Sequence, residues 1–156
     1  MLWLKFLLGV LIVAFCTFLG YCAAGKYRAR KSFYSQLNAF NEKYLAELKF
    51  SRKPLSQLIK EFAFTGDLAE TMGKLQKTRT VAVDFAYLTK EEKSYIAEYL
   101  SMLGRGDSHS QSGYFSAQAS LLAEHKKRSE AEAKSYTELY LKLGLLAGLA
   151  FVILIV

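Results

Sequence analysis

The sequence predicts an all-α protein, a small bundle of about six helices carried between an N-terminal and a C-terminal transmembrane helix that run continuously into the bundle. Three observations lead there. Phe6 to Ala24 (FLLGVLIVAFCTFLGYCAA) is a run of 19 residues without a charge, long enough to cross about 30 Å of hydrocarbon. Leu139 to Val156 (LYLKLGLLAGLAFVILIV) is a second apolar stretch, covering roughly 27 Å at about 1.5 Å per residue. Between the two, apolar residues recur at helical spacing and Pro54 is the only proline among 156 residues. The expected division is 1–25 for the first span, 26–138 for the bundle and 139–156 for the second span.

The first span carries its charges on the wrong side for a cleaved signal, since only Lys5 precedes it while Lys26, Arg28, Arg30 and Lys31 follow. Short-loop cations stay in the cytoplasm, so this cluster predicts both termini outside and the bundle inside. Next to anionic headgroups it also makes membrane lipid a partner. Lys134 and Lys142 agree at the other end, and Lys142 is close enough to the edge of its span to reach the headgroups along its methylene stem. Cys16 and Cys22 are six apart on one helix, on different faces, and are expected as reduced thiols.

The pattern continues past the first span: Phe33, Leu37, Phe40, Tyr44 and Leu48 make one helical face, and no Gly or Pro intervenes between Lys26 and Arg52. Ser51 to Pro54 is a turn, after which Leu55, Leu58, Ile59 and Phe62 predict a short helix with Pro54 at its first position. Thr65, Gly66 and Asp67 end it and start another, with Leu68, Met72 and Leu75 inward. From Thr80 to Leu88 the alternation Val81, Val83, Phe85 suits a strand, but a lone strand has nothing to pair with, and a helix capped by Thr80 is expected. Thr89 with Glu92 has capping-box spacing ahead of Ile96, Tyr99, Leu100 and Leu103. Gly104 and Gly106 close that helix, and Asp107 or Ser110 caps a long last one. Phe115, Leu122, Tyr136 and Leu143 lie at multiples of seven along it, and the charged run from Glu124 to Glu138 reads as its solvated face.

Nothing in the chain organises a reaction. His109 and His125 have no companion ligands at metal spacing, the glycines cradle no phosphate, and no nucleophile elbow is present. No catalytic residue, metal or cofactor is assigned. A net charge of +7 is largely accounted for by membrane orientation, so nucleic acid is not an expected partner. Gly144 and Gly148 form a GxxxG spacing in the second span. It permits close packing either on the first span, at Gly9, Gly20 or Ala24, or on another chain.

Three stretches carry a family resemblance. YLAELKFSRKPL, with Glu47, Pro54 and Leu55, and MLGRGDSHSQ, with Leu103, Gly104, Asp107 and Gln111, resemble two signatures of the stage III sporulation protein AB family. The ending KLGLLAGLAFVILIV resembles that family's last helix. The chain departs from the pattern between Val81 and Tyr87, where the family's helix is less β-branched. Members of the family look like the cytoplasmic domain of the platform protein of type II secretion and type IV pilus machines, a six-helix bundle.

What the resemblance implies is a noncatalytic scaffold of the channel complex between mother cell and forespore in endospore-forming bacteria, in the mother-cell membrane around the forespore. It would link a cytoplasmic ATPase to other subunits of the complex, or to further copies of itself. Two other readings stand beside it: a platform component of ordinary secretion or pilus assembly, and a membrane enzyme with an unrecognised site.

Overall fold

The computed structural model describes residues 2–50, 53–79 and 81–155. Ser51, Arg52 and the expected Thr80 cap lie outside the described residues. The described residues form six helical segments: α1 (Leu2–Ala23), α2 (Gly25–Phe50), α3 (Leu55–Glu61), α4 (Gly66–Thr78), α5 (Lys90–Met102) and α6 (Ser108–Ile155). The described residues contain no strand, so the all-α class holds. Only Ala24 separates α1 from α2, and helical bonding crosses it: Ala24 N donates to Gly20 O at 3.2 Å and Arg28 N to Ala24 O at 3.3 Å. Joined in this way, the two count as one helix and the total as five, slightly below the expected number.

The chain forms two compact units, one of Met1–Arg28 with Glu130–Val156 and one of Ala29–Ser129. The first is a pair of helices. Gly20 approaches Tyr140 and Gly144, Gly144 approaches Cys16 and Thr17, Gly148 meets Val13, and Gly9 meets Val152. Numbers rise on one helix as they fall on the other, so the two run antiparallel. A Cβ at Gly144 would stand 2.6 Å from the Cys16 carbonyl oxygen, and one at Gly148 2.8 Å from the Val13 Cα. Backbone contact this close needs glycine, which is what small-residue spacing does in helices that lack a hydrophobic drive to associate. Of the two partners expected for the GxxxG face, the first span of the same chain is in contact. The outer faces are apolar and open, with Trp3, Phe6, Ile153 and Leu154 all more than three-quarters exposed. Both Trp3–Phe50 and Ser108–Leu154 are long and apolar enough to cross a membrane. Such continuous apolar surface is unsuited to water, and it fits a membrane protein.

In the second unit, Phe33, Leu37, Phe40 and Tyr44 of α2 are buried as their spacing predicts, against Leu58 and Ile59 of α3, Leu68, Met72 and Leu75 of α4, Ile96, Tyr99 and Leu100 of α5, and Phe115 and Leu122 of α6. The capping box is present: Thr89 Oγ1 accepts from Glu92 N at 3.2 Å, and Thr89 N donates to Glu92 Oε2 at 2.9 Å. Pro54 stands one place earlier than expected. It is the N-cap of α3, and its carbonyl accepts from Gln57 N and Leu58 N.

The segment Val81 to Leu88 overturns the helix expected there; it is irregular chain closed by a turn in which Leu88 N donates to Phe85 O at 3.1 Å. The alternation in the sequence is real: Val81, Val83, Phe85 and Tyr87 face the core while Ala82, Asp84 and Ala86 are exposed. Period-two burial with β-branched residues extends the chain, and with no strand to pair with among the described residues it stays a strap. Phe33 against Phe85, Phe85 stacked on Tyr87, and the Tyr87 hydroxyl donating to Asp67 at 2.6 Å hold it down.

Candidate functional site

The motif residues from two distant stretches meet at one end of the bundle unit, where α2 finishes and α6 begins. Gln111, buried in the first turns of α6, ties them together. Its Oε1 accepts from the Tyr44 hydroxyl and from Gly104 N at 3.2 Å, while its Nε2 donates to the carbonyls of Met102, at 3.0 Å, and Arg105. A side chain with both a donor and an acceptor end is needed, which restricts the position to an amide. Gly104 and Gly106 have φ of +72° and +89°, conformations open to glycine. Gly104 also touches Leu55, where a Cβ would stand 3.1 Å from Cδ2. Asp107 caps α6, its carboxylate accepting from Ser110 N at 3.4 Å and from the Ser110 hydroxyl at 2.5 Å. These bonds hold its carboxyl below the usual range. A leucine, a glycine, a short gap, an aspartate and a glutamine are therefore one folded turn.

Leu55 and Gly104 form the shared wall of two hollows. A groove of about 540 Å³ runs between α3, α4 and the α5–α6 turn, and Pro54 and Leu103 line it too. Lys60, Arg79 and Arg105 line it as well, and all three are exposed. A smaller hollow of about 200 Å³ lies between Tyr44, Lys53 and Gln111. Glu47 sits close by: one carboxylate oxygen is 4.0 Å from Lys53 Nζ, and the other is buried without a hydrogen bond.

A second polar cluster lies at the other end of the unit, near residues 29 and 129. Arg30 Nη2 meets Glu92 Oε1 at 2.5 Å, His125 Nδ1 is 3.7 Å from the same oxygen, and the His125 ring stacks on Tyr34 with centroids 4.9 Å apart. Burial pulls the Glu92 carboxyl upward, but bonds from Thr89 and Arg30 outweigh it and hold the group below the ordinary glutamate range. Burial and the adjacent Glu92 push the Tyr34 hydroxyl well up. Burial also takes Tyr95 up to about 12. Arg30 is thus bound into the bundle, a role its place among flanking cations does not reveal. In the helix-pair unit, Arg28 donates to Tyr21 O at 2.7 Å and covers the Tyr21 ring at 3.5 Å, and Lys26 lies over Tyr27. Lys31 and Lys142 are exposed.

Residues that sequence reasoning passed over include Asn41, whose Nδ2 donates to Phe115 O at 3.2 Å and whose Oδ1 accepts from Tyr99 at 3.0 Å. Its position beside the apolar face of α2 was a usable signal. Lys60, Arg79 and Arg105 carry none, because they lie in three segments that only folding brings together.

The family model described as stage III sporulation protein AB matches residues 5–156, nearly the whole chain. Among curated proteins and among solved structures, nothing matches the chain.

Proposed function

The chain belongs to the stage III sporulation protein AB family, and from that premise we propose that it is a noncatalytic membrane scaffold of the channel complex between mother cell and forespore. In this reading the helix pair anchors it in the mother-cell membrane around the forespore, the bundle faces the cytoplasm, and the bundle connects a cytoplasmic ATPase to membrane-embedded subunits. The observation that carries the reading is the match over residues 5–156 to a chain built as an open apolar helix pair joined to a helical bundle. The cations Lys26, Lys31 and Lys142 support the orientation, since they flank the apolar stretches on the bundle side. The bonded turn of Gln111 with Gly104 and Asp107 supports a part that holds shape.

Deleting the gene in a spore former tests it. Forespores should be engulfed and then fail to develop, with recovery when the full chain is supplied. Normal development without the gene would end the proposal. A reporter fused near Gly106 should be active only in the cytoplasm, and external activity would reverse the orientation.

A further inference from the structure

We infer that the groove between α3, the end of α4 and the α5–α6 turn docks a short acidic segment of a partner protein, with apolar residues between its carboxylates. Lys60, Arg79 and Arg105 reach it from three separate elements, and none of its lining residues is acidic. Elsewhere on this unit three lysines are paired: Lys53 with Glu61 at 3.0 Å, Lys74 with Glu70 at 2.6 Å and Lys93 with Asp84 at 2.5 Å. Among the described residues no carboxylate pairs with the three cations of the groove. Three like charges from three elements therefore stand around one hollow that has no carboxylate in its lining.

Between those charges Leu55, Ile59 and Leu103 give the hollow an apolar strip, with Ser56, Gln76 and Ser101 beside it. A lone inorganic anion would gain nothing from that floor, whereas a peptide can seat an apolar side chain on it and place carboxylates at the rim. A volume of about 540 Å³ is within the range of pockets that enclose several such groups. Arg79 adds an independent point. It is the only non-glycine at positive φ among the described residues, at 55°, as the C-cap of α4. Glycine is the default there, so an arginine is held at conformational cost where its side chain lines the groove.

The inference deepens the scaffold reading by giving the chemistry of one partner, but its test needs neither spores nor that partner. The full chain in phosphatidylcholine nanodiscs is titrated with a fluorescent peptide of Glu, Asp, Leu and Phe, and with the same peptide carrying Lys for its acids. Only the acidic peptide should bind. Arg79→Gly and Arg105→Gln should each weaken it about three- to fivefold, the scale of one partly exposed ion pair, and Lys74→Gln should leave it unchanged. Arg79→Gly should not lower the melting temperature, which separates a binding loss from a folding loss. Absence of binding, equal binding of both peptides, equal weakening by Lys74→Gln, or displacement of the peptide by pyrophosphate at matched concentration would overturn the inference. Developmental arrest on gene deletion combined with any of those outcomes would remove this inference and leave the scaffold reading standing.

Discussion

Arg30 Nη2 donates to Glu92 Oε1 at 2.5 Å across 62 positions of sequence, with the two side chains 13% and 8% exposed. Glu92 is at once the closing residue of the α5 capping box and the acceptor for an arginine at the start of the bundle. One side chain therefore ties the entry of α2 to the start of α5.

Replacing Glu92→Gln leaves the Arg30 guanidinium buried opposite a neutral amide. Breaking a buried pair from one side costs about 3–5 kcal/mol. Chemical denaturation of the full chain in detergent, followed by helical signal, should show a loss of that order, and an unchanged midpoint would refute the role.

The same residue makes the bundle acid-sensitive. The folded Glu92 carboxyl titrates below the ordinary glutamate range, held there against burial by Thr89 and Arg30. Its stabilisation is complete above about pH 4.3, the unfolded value, and is lost as pH falls through the lower folded value. Stability measured from pH 6 downward, to about two pH units below that unfolded value, should fall more steeply in the wild type than in Glu92→Gln.

Gln111→Glu keeps the size of the side chain and removes its donors, leaving the carbonyls of Met102 and Arg105 without their partner. A cost of about 2–4 kcal/mol is expected from unsatisfied buried groups. Gln111→Leu should cost at least as much, since it also strands the Tyr44 hydroxyl, whose bond to Gln111 is buried. Equal stability of either variant to wild type would show that the turn is not held in this way.

Gly144→Val or Gly148→Val would push side-chain atoms into the backbone at Cys16 or Val13. The antiparallel pair should separate or shift, lowering the amount of intact protein in membranes severalfold. As a positive control, Gly9→Cys with Val152→Cys, in a chain whose native cysteines are serine, should cross-link, because Gly9 and Val152 touch.

Much of this fold was legible in local pattern. The α2 face from Phe33 to Tyr44, the Thr89–Glu92 box, the Asp107 cap and the glycines of the second span are all set by residues a few positions apart. Periodicity and capping act at that range. The strap from Val81 to Leu88 was not, because its alternation was correct but its solution was extended chain with no neighbour to bond. Arg30 was legible as a cation and not as a partner of Glu92, and His125 lay far in sequence from the Tyr34 ring it stacks on. The groove was illegible for the same reason: Lys60, Arg79 and Arg105 are ordinary surface cations until α3, α4 and the α5–α6 turn converge.

Affinity purification of the tagged full chain from sporulating cells, solubilised gently and measured by quantitative mass spectrometry, tests the scaffold claim most directly. A cytoplasmic ATPase and membrane subunits of the channel should be enriched together, and Arg79→Gly with Arg105→Gln should lose one acidic-segment partner while keeping the membrane ones. Recovery of the chain without either class of partner, at wild-type expression and with normal spore formation, would contradict the account.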